Sequence, residues 1–191
     1  MPRTGRLLLS LALAAGLSAG VAAAPAQAAT PTPGVYYELF LPQWNRSDFK
    51  CVDAFNTSTR PGSALDFFDC HSADIQLWRF ELVVPPSPFG PAIYEIVNKK
   101  SGLCMTMTAV FFNGSAVRQD TCGIDGTDIW TLHTPGVLPD HFDIVAANSP
   151  NDCVGAANLT GADGTALVMR EPCRPITDAG FEDPRLSFQL G

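Results

Sequence analysis

Three pairs of cysteines, repeated at a nearly constant interval, constrain the fold of this chain more than any other feature. The pairs are Cys51/Cys70, Cys104/Cys122 and Cys153/Cys173. Their first members recur about every 50 residues. A short step that ends in an aromatic residue follows each pair: Gln76-Leu77-Trp78, Asp128-Ile129-Trp130 and Leu186-Ser187-Phe188. This recurrence indicates three copies of one supersecondary unit.

Each repeat contains about four short runs that are rich in β-branched and aromatic residues. Turn residues separate the runs, as in Arg60-Pro61-Gly62 and Asn113-Gly114-Ser115,. Three four-stranded units that close with threefold pseudosymmetry form a β-trefoil, so we predict an all-β, β-trefoil fold. An open β-sandwich is the alternative, although nothing in a sandwich requires a threefold interval. Trp78 and Trp130 are expected to lie in the core.

The six cysteines are expected to pair inside the repeats as three disulfides, because each pair brackets one hairpin-sized loop. Closing a loop of this length contributes about 3 kcal/mol in the chain-entropy model. Metal ligation is the alternative interpretation, but structural zinc sites use closely spaced C-x2-4-C pairs. We therefore predict no metal site.

The chain opens with a pattern typical of a secretory signal peptide. Arg3 and Arg6 precede an apolar run, and Ala26-Gln27-Ala28 offers a small-x-small cleavage site,. A membrane span is the alternative, since the run approaches spanning length. We predict a leader over residues 1–28 and one extracellular, secreted domain over residues 29–191. Its repeats are placed at about 35–83, 92–134 and 141–191.

The charge and the motifs exclude several classes of function. The net charge of −7 at pH 7 argues against a nucleic-acid partner and against binding to an anionic membrane surface,. The histidines His71, His133 and His141 show no metal-ligand spacing, and no nucleophile elbow or phosphate-binding glycine loop occurs,. The sequence therefore predicts no enzyme and no cofactor.

The first repeat contains three short motifs, Cys51-Val52-Asp53, Phe68-Asp69-Cys70 and Gln76-Leu77-Trp78. Through them it resembles the ricin-type (ricin B-like) β-trefoil lectin domain, which is also known as a carbohydrate-binding module. The second repeat keeps its cysteines and Trp130 but has Asp128 where the family has glutamine. The third repeat keeps its cysteines but ends in Phe188.

The resemblance implies one galactose-type carbohydrate site, in the first repeat. Asp53 would accept hydrogen bonds from sugar hydroxyls, Phe68 would pack on the C–H face of the sugar, Gln76 would orient Asp53 or touch the sugar, and Asp66 would add a polar contact. Asp53 could instead cap a turn, and Phe68 could simply cover the loop. The corresponding positions are Thr106 and Asp120 in the second repeat and Gly155 and Glu171 in the third, which lack this chemistry.

A protein partner is the alternative to a carbohydrate. β-Trefoils also act as inhibitors of exported proteases through exposed loops, and two loops of this chain are candidates. They are VPPSPFGPA, residues 84–92, and ITDAGFEDPR, residues 176–185. A third reading is an inert scaffold whose sugar sites have all decayed.

Overall fold

The described part of the chain is built from β-strands and two short 3-10 helices. The computed structural model describes residues 30–41, 49–109, 113–134, 141–158, 162–173 and 187–191. The first repeat contributes β1 Tyr36–Leu41, β2 Lys50–Ala54, β3 Ser63–Asp69 and β4 Leu77–Val84, with 3-10 helices at Phe55–Thr57 and Asp74–Gln76. The second repeat contributes β5 Ile93–Asn98, β6 Cys104–Met107, β7 Val117–Asp120 and β8 Ile129–His133. The third repeat contributes β9 Phe142–Ala146, β10 Cys153–Ala156, β11 Thr165–Arg170 and β12 Ser187–Leu190.

The first and last strands of the three repeats form a closed barrel. Each of β1, β4, β5, β8, β9 and β12 pairs with the next in antiparallel fashion, and β12 returns to β1. Closure satisfies the backbone groups that an open sheet would expose at its edges. The ring contains two strands from every repeat, which explains the threefold interval in the sequence.

The inner two strands of each repeat form a hairpin, and the three hairpins meet at one end of the barrel. Ser63 of β3 pairs with Gln119 of β7, and Phe67 of β3 pairs with Thr165 of β11. A further bridge joins Ala116 to Val168. Each hairpin therefore lies against a hairpin from another repeat, and side chains from distant segments can share one pocket.

The barrel is filled by apolar side chains that alternate with exposed ones. On β4, Trp78 and Phe80 are buried, while Arg79 and Glu81 are partly exposed,. Phe80 lies edge-on to Phe142 of the third repeat, with ring centroids 6.2 Å apart. Burying such a side chain contributes about 1.5–3 kcal/mol relative to leaving it exposed.

The two tryptophans also tie the barrel to the hairpins. Trp78 and Trp130 are fully buried, which confirms the prediction that they belong to the core. The Trp78 indole donates a hydrogen bond of 3.0 Å to the Val52 carbonyl, and the Trp130 indole donates one of 3.0 Å to the Met105 carbonyl. The two bonds are equivalent, because each acceptor follows the first cysteine of its repeat.

The fold prediction is confirmed: the chain is an all-β trefoil with three four-stranded repeats, and the sandwich alternative is wrong. The disulfides Cys51–Cys70, Cys104–Cys122 and Cys153–Cys173 all lie inside repeats, as predicted. Because their thiols are oxidised, these cysteines are not metal ligands.

Two sequence predictions fall outside the described residues. They are the leader at residues 1–28 and the loop at residues 176–185. Among the described residues, no helix has the length and apolar character needed to cross a membrane.

Candidate functional site

A pocket of about 360 Å³ opens beside the β2–β3 hairpin of the first repeat. It brings together three of the four predicted site residues, Asp53, Asp66 and Phe68. The rest of its lining comes from residues that the sequence interpretation did not select: Phe55, Asn56, Thr57, His71, Asp163 and Gly164.

Two carboxylates lie side by side in this pocket. Asp53 and Asp66 are register partners across the β2–β3 hairpin, so their side chains project from the same face of the sheet. Each residue is only 5% exposed. Like charges directly opposite one another destabilise a sheet. The Asp53–Asp66 pair therefore lowers the stability of the fold, and side-chain packing gives no reason for its presence.

The surroundings of the two carboxyls raise both pKa values. Burial raises the pKa of Asp66 to about 6, and the charges of Asp53 and Asp163 add to the shift. Burial also raises the pKa of Asp53, although Gln76, His71 and Lys100 partly offset that effect. The His71 Nε2 atom lies 3.7 Å from the Asp53 Oδ2 atom.

Phe68 supplies an exposed aromatic face next to the carboxylates. It is 43% exposed, whereas the adjacent Phe67 is fully buried in the core. Adjacent residues of a strand face opposite sides of the sheet, so one of the two rings points inward and the other outward. The Phe68 ring meets the His71 ring edge-on, with centroids 6.3 Å apart. Phe68 and Asp66 stand on the same face of β3 because they are two residues apart.

Gln76, the fourth predicted site residue, lies behind the pocket and is fully buried. Its side-chain oxygen accepts a hydrogen bond of 2.9 Å from the His71 backbone N–H. Its nitrogen donates one of 2.9 Å to the Asp69 carbonyl. Gln76 therefore holds the chain segment that carries His71, which lies beside Asp53.

The third repeat provides one wall of the pocket. The backbone N–H of Gly164 donates a hydrogen bond of 2.8 Å to the Phe67 carbonyl, and this places the turn containing Asp163 over the first-repeat hairpin. Lys50 Nζ lies 2.6 Å from Asp163 Oδ1 and also contacts Asp69. In the sequence, Ala162-Asp163-Gly164 is recognisable only as a turn.

The lip of the pocket has an unusual backbone. Asn56 and Thr57 both have a φ of 55°. Asparagine tolerates this left-handed region, but a β-branched threonine rarely adopts it. Strained backbone of this kind tends to occur at functional sites, where the surrounding structure holds it in place. No sequence signal marks these two residues, since left-handed geometry in a non-glycine residue depends on its surroundings.

In the described residues of the other two hairpins, this constellation is absent. Thr106 and Arg118 occupy the positions of the carboxylate pair in the second repeat, and Gly155 and Val168 occupy them in the third. Counting back from the second cysteine predicts Glu171 as the counterpart of Phe68 in the third repeat, and this is wrong.

The strand register places Arg170 at that position in the third repeat. Arg170 pairs with Cys153 just as Phe68 pairs with Cys51. Arg170 lies three residues before Cys173, whereas Phe68 lies two residues before Cys70, and this one-residue difference explains the error in the count. The charge at the position is thus positive rather than negative.

Comparison with known proteins agrees with the architecture. The family model for ricin-type beta-trefoil lectin domain-like proteins matches residues 74–170. No curated protein sequence matches the chain.

Solved structures share the fold at low sequence identity. A designed threefold-symmetric protein, ThreeFoil, has a TM-score of 0.65 at 20% identity, with 81% of this chain and 96% of that chain covered. The Macrolepiota procera ricin B-like lectin, in complex with lactose, has a TM-score of 0.61 at 12% identity, with 84% and 97% covered. An exo-beta-1,3-galactanase from Clostridium thermocellum has a TM-score of 0.65 at 16% identity. In that case 84% of this chain matches only 31% of the enzyme.

Proposed function

This chain belongs to the family of ricin-type beta-trefoil lectin domain-like proteins, and we propose that it binds carbohydrate through the pocket of its first repeat. The observation that carries the proposal is the meeting of an exposed aromatic ring, Phe68, with the carboxylates of Asp53 and Asp66. A pyranose presents a face of C–H groups and a rim of hydroxyls. The ring matches the face, and the carboxylates accept hydrogen bonds from the rim.

A galactose-type ring suits this arrangement. Two adjacent hydroxyls can donate to one carboxylate while the opposite C–H face lies on an aromatic side chain. The first repeat alone combines these groups among the hairpins that the structure describes, so one chain would offer one such site. A single shallow sugar site has a Kd near about 1 mM, and avidity would require several chains on one surface.

The proposed role is binding without catalysis. A glycosidase places two carboxyl groups on either side of the scissile bond. Asp53 and Asp66 instead stand next to each other on one sheet face, where both approach a bound sugar from the same side. The proposed location is extracellular, which rests on the leader pattern in the sequence and suits a chain with three disulfides,.

A glycan array probed with the secreted protein tests this function, with Asp53→Ala and Asp120→Ala run in parallel. Asp120 is the matched control, because it occupies the position of Phe68 in the second repeat, away from the pocket. We expect weak binding to galactose-bearing glycans that Asp53→Ala lowers by at least about tenfold and that Asp120→Ala leaves intact. Silence of a folded protein across the array would contradict the proposal.

Protein binding is the second candidate function, and the turn between β4 and β5 favours it. Phe89 at that turn is 98% exposed. The Ser87 N–H donates a bond of 2.9 Å to the Gly90 carbonyl, and the Phe89 N–H donates one of 3.2 Å to the Ser87 hydroxyl. An exposed aromatic on a braced turn is a typical anchor for a protein partner. Inhibition of an exported protease that is lost in Phe89→Ala, without any effect of sugar, would support this candidate.

A further inference from the structure

The Asp66 carboxylate is buried, faces the pocket and lacks a side-chain partner. The residue is 5% exposed and lines the cavity. Among the residues that the structure describes, no side chain donates a hydrogen bond to it, and the group that favours its ionised form is its own backbone N–H. A buried charge without a partner is costly unless a ligand completes its coordination.

The cations near the pocket act on acids other than Asp66, and one of them, Lys100, acts on Asp53. Lys50 contacts both Asp69 and Asp163. His71 lies against Asp53 rather than Asp66. Three carboxylates and one imidazole therefore line the cavity. The negative charge that is not neutralised lies at the Asp53–Asp66 pair.

A bare metal ion is a poor candidate for neutralising these carboxylates. Among the described residues, the carboxylate oxygens of Asp53, Asp66 and Asp163 do not all lie within 4.8 Å of one another, so the three acids do not form a compact set of metal ligands. The ligand must instead carry its positive charge on a larger body. The cavity of about 360 Å³ with an aromatic wall provides room for such a body.

We propose that the preferred ligand is a glycan with an unacetylated amino sugar, whose ammonium group donates hydrogen bonds to Asp66 and Asp53 while its ring packs on Phe68. The inference rests on the proposed carbohydrate function and names the class of sugar. An ammonium group supplies three donors and one positive charge, which matches two neighbouring carboxylates better than hydroxyls do.

The affinity for an amino sugar should be highest at an intermediate pH. The pKa of Asp66 is about 6 before binding, so acidification below that value protonates the acceptor. The ammonium of an amino sugar resembles an α-amino group and loses its proton near about pH 8. A neutral sugar should also lose affinity on acidification, but its affinity should not fall on the alkaline side.

The groups that face Asp66 from the surrounding elements set the acid side of this pH dependence. The charges that act on Asp66 directly are those of Asp53 on β2 and Asp163 in the turn before β11. Lys50 pairs with Asp163, and His71 and Lys100 lie near Asp53. The other strands packed against β3 carry Arg118 and Asp120 on β7 and Arg170 on β11. Arg118 is paired with Asp120 at 3.2 Å, so it does not neutralise Asp66.

Titration calorimetry with three matched ligands tests the inference: the methyl glycosides of galactosamine, N-acetylgalactosamine and galactose, together with their glucose-configured counterparts. At about pH 7 the amine should bind about tenfold more tightly than either neutral sugar of the same configuration. That preference should vanish at about pH 5 and about pH 9.

Two variants locate the effect. Asp66→Asn keeps the shape of the side chain and removes its charge, so the ratio of amine to neutral affinity should fall to about one. Asp120→Asn removes a carboxylate from the second-repeat hairpin and should leave the ratio unchanged. Neutral sugars that bind as well as the amine at about pH 7 would overturn this inference and leave the proposed function standing. A folded protein that binds none of the six ligands would overturn both.

Discussion

The hairpins of the first and second repeats share a scaffold and differ in what they present to solvent. Both are closed by a disulfide and receive an indole hydrogen bond on the residue after the first cysteine. The first presents a carboxylate pair, whereas the second presents Thr106 and Arg118 at the same register positions. The motif that identifies the family therefore describes the scaffold, and the binding chemistry depends on other positions.

The glutamine of the motif illustrates this separation. In the first repeat, Gln76 accepts the backbone N–H of His71, the residue after the second cysteine. In the second repeat, Asp128 accepts the N–H of Gly123, which also follows the second cysteine. Aspartate replaces glutamine here without loss of that anchor, so the substitution is conservative for the fold.

The largest effect is expected from removing one disulfide at a time. Cys51→Ala/Cys70→Ala and Cys104→Ala/Cys122→Ala open loops of 19 and 18 residues. Each should lower the free energy of unfolding by about 3 kcal/mol, as measured by urea denaturation. Carbohydrate binding should weaken only in the first variant, because only that hairpin carries the pocket. Equal loss of binding in both folded variants would erase the distinction between the two hairpins.

An intermediate effect is expected from the buried anchors. Gln76→Ala removes the acceptor of the His71 N–H and a donor to the Asp69 carbonyl. Asp128→Ala removes the acceptor of the Gly123 and Ile124 N–H groups. Each variant should lose about 2 kcal/mol of stability in thermal or chemical unfolding. Gln76→Ala should also weaken glycan binding, since Gln76 orients the surroundings of Asp53, whereas Asp128→Ala should not. The comparison fails if Asp128→Ala weakens binding as much as Gln76→Ala does.

The smallest effect, and the one opposite in sign, is expected from Asp66→Asn. The pKa of Asp66 is raised from 3.8 to about 6 in the folded chain, so the folded state keeps a proton that the unfolded state releases between these values. The free energy of unfolding must then fall as pH rises through that window. The free energy of unfolding of Asp66→Asn should change less with pH between these two values. Above about pH 6 the variant should be about 1 kcal/mol more stable than the parent, a figure that is reduced to allow for solvent screening in the pocket.

Denaturant unfolding at a series of pH values measures this effect, with Asp120→Asn as the control. A variant that is less stable than the parent near neutral pH would show that Asp66 has a structural role. A more stable variant would show that the fold bears a cost to keep the carboxylate in the pocket.

The sequence by itself determined the repeat, the strand content, the disulfide pairing and the burial of Trp78 and Trp130. These features depend on spacing along the chain. A recurring cysteine pair and an alternating strand can be recognised in the sequence whatever the tertiary arrangement of the strands. Alternation along a single hairpin likewise places Phe67 and Phe68 on opposite faces of the sheet. The selection of Asp53 and Phe68 as site residues came from the family resemblance.

Tertiary structure alone decided which groups share the pocket. Asp163 reaches the first-repeat hairpin because barrel closure places β11 beside β3, and nothing near residue 163 encodes that neighbour. The pairing of Asp53 with Asp66 depends on strand register. The presence of Arg170 where the count predicts Glu171 depends on one extra residue between that register position and the second cysteine. The electrostatics of the site arise between segments about 100 residues apart, where spacing along the chain no longer indicates distance in space.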